Sequence, residues 1–109
     1  MSTPEPRVQV PESVTAGASF RIKTLISHVM ETGLRHEPEG QAIPRRIIHS
    51  FVCRYDGVEV FKADLHEAMS ANPFIEFNLR AKQTTGRLEF IWEEDGGRIY
   101  ALAHRLLIR

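Results

Sequence analysis

The stretch Arg45–Ala63, RRIIHSFVCRYDGVEVFKA, decides the fold. β-branched and aromatic residues crowd it on both sides of Asp56-Gly57, and such residues suit a pleated, half-buried surface. Asp and Gly tolerate the positive φ that a two-residue hairpin turn demands. The spacing therefore predicts a strand over Arg45–Tyr55 and a return strand over Val58–Ala63. Alternation along the first puts Ile47, His49, Phe51, Cys53 and Tyr55 on one side, with Ile48, Ser50, Val52 and Arg54 on the other.

The same period-two pattern recurs on either side. Arg7–Val10 reads as a short strand stopped by Pro11, preceded by a polar, frayed start over Met1–Pro6. Phe20–Ser27 alternates, with Phe20, Ile22, Thr24 and Ile26 on the core face, and it delivers His28 to one end of the sheet. From Met30 to Pro44 the periodicity stops, and Gly33, Pro38, Gly40 and Pro44 punctuate a loop long enough to be functional or mobile. Further strands are predicted over Phe74–Ala81, Arg87–Glu94 and Arg98–Ile108, the last two joined by a turn at Asp95-Gly96-Gly97. Leu88, Phe90 and Trp92 point one way, and Trp92 is the expected core anchor. Asp64–Ala71 is the one helical patch: Asp64 can cap it, Leu65, Ala68 and Met69 share a face, and Asn72-Pro73 ends it. Seven strands and one helical turn predict an all-β, two-sheet antiparallel sandwich occupying 1–109 as a single domain.

Fourteen basic and fourteen acidic residues cancel in the 109-residue chain. A neutral balance argues against a broad nucleic-acid footprint, which needs a basic face. No apolar run approaches the ~20 residues of a membrane span. Residues 1–12 lack the basic start and apolar core of a secretory signal, so the chain is expected in the cytoplasm, or already processed, or exported with something else.

Cys53 is the one cysteine, so no intrachain disulfide forms, and its apolar neighbours predict a buried, inert thiol. His28 and Met30 share a face if the strand persists, and imidazole plus thioether suits copper. A designed copper site is not expected, because Cys53 sits mid-strand and the next histidine is His66. No cofactor or metal is predicted. Ser27 and His28 are adjacent and point to opposite faces, so they do not pair as nucleophile and base. Glu93, Glu94 and Asp95 read as a solvated hairpin tip, and Glu37 and Glu39 as solvated loop charges. These residues describe a small binding domain without catalytic machinery of its own.

Four stretches carry a resemblance when taken in order: LISHVMETGLR (25–35), IPRRIIHSFVCRYDG (43–57), SANPFIEFNLRA (70–81) and GRLEFIWEEDGG (86–97). Together they closely resemble the SoxZ family, subunits of the bacterial sulfur-oxidation carrier complex, from about Arg7 to Ile108. The most specific parts are His28-Val29-Met30-Glu31-Thr32-Gly33 with Arg35, and Asn72-Pro73-Phe74. The resemblance implies an immunoglobulin-like sandwich that pairs with SoxY. That partner carries sulfur intermediates on a cysteine in a glycine-rich arm, and the pair meets the other thiosulfate-oxidising enzymes and cytochromes transiently. It also implies a periplasmic location, reached by export with SoxY. The chain ends HRLLIR without a Gly-Gly-Cys-Gly-Gly arm, so Cys53 is not expected to inherit the carrier role. His28, Met30, Glu31, Gly33 and Arg35, with Asn72, Pro73 and Phe74, are the candidates for the partner interface or a cleft around the carrier cysteine. The plainer reading has Gly33 and Pro73 shaping turns and Arg35 as a rim charge. The rival class is a periplasmic immunoglobulin-like adaptor or metal-binding chaperone.

Overall fold

In the computed structural model the residues described are 5–27, 47–65 and 73–109. The hairpin at Asp56-Gly57 forms as its residue types dictate, with φ of 51° and 83° at the two positions. It joins β4 (Ile48–Tyr55) to β5 (Val58–Asp64). Before it come β1 (Glu5–Gln9), β2 (Ser13–Val14) and β3 (Ser19–Ser27), and after it β6 (Phe74–Arg80), β7 (Gly86–Glu94) and β8 (Ile99–Ile108). The strands build a three-stranded sheet, β1-β3-β6, and a five-stranded sheet, β2-β8-β7-β4-β5.

The alternation in the sequence becomes the core. Phe20, Ile22, Thr24 and Ile26 of β3 are buried against Phe51, Cys53 and Tyr55 of β4 and Leu88, Phe90 and Trp92 of β7. Phe51 is the hub: its ring lies 5.2 Å from Trp92, 5.9 Å from Phe77 and 6.1 Å from Phe61, all tilted as aromatic quadrupoles prefer. Phe61 and Phe77 stack at 4.2 Å. Since Phe77 belongs to β6, these rings join one sheet to the other. Thr24 is the polar exception on the inner face, and its hydroxyl donates to the Ile75 carbonyl at 3.1 Å.

Five expectations need correction. Glu5 and Pro6 are not frayed; they pair with Ser27 and Ile26, and Pro6 is tolerated because β1 is an edge strand. The described strands number eight rather than seven, because Ser13–Val14 pairs with β8. That pairing is parallel, so the larger sheet is mixed rather than wholly antiparallel. Asp64 belongs to β5 as its last residue, and the Leu65 N–H is held by the His49 carbonyl at 2.8 Å. The rest of the expected helical turn, 66–71, lies outside the described residues, among which there is no helix. Finally, the strict alternation over 45–55 breaks at a register shift between Ile48 and Ser50, which buries both Ile47 and Ile48. Among the described residues no helix is long and apolar enough to cross a membrane.

Candidate functional site

One end of the sandwich gathers Ser27 at the end of β3, Ile47 at the entry to β4, Leu65 after β5, Pro73 before β6 and the β7–β8 turn. Two of the eight residues singled out in the sequence fall among those described. Pro73 is buried, and its carbonyl accepts the Ile26 N–H at 3.4 Å. Phe74 pairs with Leu25 and is 53% exposed, facing out from the smaller sheet. His28, Met30, Glu31, Gly33, Arg35 and Asn72 lie outside the described residues. The structure therefore places the entry to β6 beside the end of β3, the strand that leads to position 28.

The acidic turn differs from its expectation. Glu94 is not a solvated charge: it is 3% exposed, and the Tyr100 hydroxyl donates to its Oε2 at 2.7 Å. Asp95 is also occupied. Its Oδ2 accepts the Ile47 N–H at 3.2 Å, and its own N–H donates to the Ile47 carbonyl at 2.9 Å. This two-bond clamp fixes the chain where it enters β4. The physical reason lies in parity, because Glu94 continues the inward series Leu88, Phe90, Trp92. That series was the signal in the sequence that could have found it. Burial and the bond to Glu94 push the Tyr100 phenol up, so it keeps its proton and stays a donor. The pair acts as an anchor, not as an acid–base couple. On the outer face beside it, His49 Nε2 approaches Glu93 at 3.4 Å.

Cys53 is fully buried, and burial pushes its thiol up to about 12. A thiol held neutral is a poor nucleophile and a poor metal ligand. Among the described residues no three of His, Cys, Asp or Glu converge as a metal site would need. Two buried side-chain atoms among the described residues, Trp92 Nε1 and His104 Nε2, have no hydrogen-bond partner. His104 faces Leu88 across the sheet and so has no nucleophile opposite it to activate.

The opposite end is structural. Asp56 accepts the Arg87 N–H at 2.8 Å and the Lys82 ammonium at 3.3 Å, which holds its carboxyl below the usual carboxylate range. The Tyr55 hydroxyl accepts the Lys82 N–H at 3.1 Å, and the Lys82 ammonium lies 4.6 Å from the Tyr55 ring centre. Gly86 is required here, since a Cβ would fall 2.7 Å from Asp56 Oδ1.

Two sheets packed over an aromatic seam define an all-β sandwich. Its sequence matches the family model described as Sulphur oxidation protein SoxZ over residues 8–102, and the chain belongs to that family. No curated protein matches it in sequence. Among solved structures it is similar to the superoxide reductase (neelaredoxin) from Ignicoccus hospitalis. A lysine-substituted form of that protein matches with a TM-score of 0.74 at 16% identity, covering 95% of this chain and 79% of that one. The form named without a substitution matches with a TM-score of 0.68 at 16% identity, over 95% and 80% of the two chains. At that identity the likeness concerns the fold alone.

Proposed function

We propose that this chain is the non-catalytic half of the sulfur carrier complex, binding SoxY and helping present its cysteine-bound intermediates to the thiosulfate-oxidising enzymes. The observation that carries this reading is the state of Cys53. A carrier thiol has to reach several enzymes in turn, whereas Cys53 is sealed between the sheets and held protonated. Within this reading the reactive cysteine is the one carried by SoxY. The complex works in the periplasm, exported with SoxY, and meets the pathway's enzymes and cytochromes transiently.

Within this reading His28, Met30, Glu31, Gly33 and Arg35, with Asn72, Pro73 and Phe74, form the cleft for the anionic adduct. The Ile26–Pro73 hydrogen bond supports it by setting the entry to β6 beside the strand leading to position 28. Arg35 supplies a fixed cation with several N–H donors for an oxyanion. The test is reconstitution with SoxY. Arg35→Ala should leave the heterodimer intact yet slow thiosulfate oxidation, and Cys53→Ala should leave the rate unchanged. A wild-type rate with a normally loaded carrier cysteine in Arg35→Ala would remove the cleft from the account.

A further inference from the structure

Cross-strand register on the outer face of the five-stranded sheet sets Val52, Ile91 and Ala101 in one row, with Ile99 in the next. Ile99 is 56% exposed, and Ala101 and Ala103 are exposed as well. An antiparallel sheet in a two-layer sandwich normally turns polar residues to solvent on its outer side. The other sheet does so along most of its length, with Arg21, Lys23, Glu76 and Asn78 facing out and Phe74 exposed at one end. On the larger sheet Val52, Ile91, Ala101 and Ile99 make an apolar patch, bordered by Lys62 beside Val52, Glu93 beside Ile99, and Glu89 and Arg54 in the row of Ala103.

Beyond the patch Arg87 and Arg105 stand directly opposite each other. Both are exposed, and among the described residues neither has an ion pair. Like charges placed opposite across a ladder destabilise it. The acids of this face have cationic neighbours already. Glu93 meets His49 at 3.4 Å, Glu59 and Glu89 flank Arg54 in register, and Asp56 is held by Lys82 and the Arg87 N–H. Glu93 and Asp56 are in ion pairs, so the same face of a second copy brings few free carboxylates, while a different chain with carboxylates at the matching edge would satisfy both arginines.

We propose that this outer face is the seat of the partner subunit, and that the partner presents a flat apolar surface with carboxylates at one edge, set against Arg87 and Arg105. This rests on the reading of the chain as half of a heterodimer with SoxY. Apolar contact supplies the affinity, and the arginine pair sets orientation and association rate.

The test uses the full chain with purified SoxY, following heterodimer formation by calorimetric titration and by light scattering after gel filtration. Ala101→Asp places a charge in the apolar patch and Ala103→Asp one at its border, both at exposed positions, so each should fold, which a thermal melt checks. Each should weaken pairing about 30-fold or more. Arg87→Glu with Arg105→Glu should weaken it about tenfold, chiefly through the association rate and most at low salt. Lys23→Glu, on the other sheet, should pair as the wild type does. If the wild type pairs with SoxY and the three outer-face variants pair within about threefold of it, the seat is elsewhere and the inference falls alone. If the wild type does not pair with SoxY, the heterodimer reading itself fails and the seat with it. If Ala101→Asp abolishes self-association of this chain and spares the heterodimer, the occupant is a second copy and the proposal is overturned.

Discussion

The two sheets are alike on their inner faces and unlike on their outer ones. Inside, both contribute aliphatic and aromatic residues to one core. Outside, the three-stranded sheet carries Arg21 and Glu76, paired at 3.1 Å, with Phe74 exposed at one end, while the five-stranded sheet sets Val52, Ile91, Ala101 and Ile99 among Lys62, Arg54, Glu89 and Glu93. Burial of the inner faces accounts for the fold, and solvent accounts for the charged outer face. Neither accounts for the apolar patch on the larger sheet. A surface that the fold does not need and water does not favour is where contact with another molecule is expected.

The comparison breaks most severely where the sheets join. Phe51→Ala removes the ring that touches Phe61, Phe77, Phe90 and Trp92, and should lower the unfolding free energy by about 3–5 kcal/mol in chemical denaturation. A loss below about 1 kcal/mol would mean that the joint does not depend on this side chain. Next is the anchor beside the β7–β8 turn. Tyr100→Phe withdraws a donor from a buried carboxylate and should cost about 1–3 kcal/mol. An unchanged melting curve would return Glu94 to the class of solvated charges.

Cys53→Ala should cost about 1 kcal/mol or a little more through lost packing. It also has a pH signature. Burial raises the thiol from 9.0 to about 12, so the unfolded chain releases its proton before the folded one does. Wild-type stability from this group is full below about pH 9 and is lost as pH rises toward 12, and Cys53→Ala should lack that part of the slope. Identical alkaline slopes would show that the thiol is not sealed. The smallest effect belongs to the charged face: Arg21→Ala, which removes an exposed ion pair, should change stability by less than about 0.5 kcal/mol. A larger loss would make the three-stranded outer face more than a solvated surface.

Much of this was legible in the sequence because alternation is a direct readout of a half-buried strand. Phe20, Ile22, Thr24 and Ile26, and likewise Leu88, Phe90 and Trp92, point inward as their spacing requires. Asp56-Gly57 marks its hairpin by conformational tolerance alone. Ser13–Val14 was not legible, because two residues carry no period and their partner β8 lies more than ninety positions along the chain. The bulge at Ile48–Ser50 was hidden for a related reason: an extra residue changes which face follows without changing composition. Glu94 was misread because carboxylates beside a glycine turn usually meet water, and only its parity with Trp92 marks it as interior. Of the site, Pro73 and Phe74 are placed next to the end of β3.

The central claim is that this subunit serves as a scaffold and that its own thiol takes no part in carrying sulfur. Mass spectrometry of the reconstituted complex with SoxY, sampled during thiosulfate oxidation, tests it most directly. The account predicts sulfur adducts on the partner's cysteine and an unmodified Cys53 at every time point; a sulfane or sulfonate adduct on Cys53 that appears and decays with turnover would contradict it.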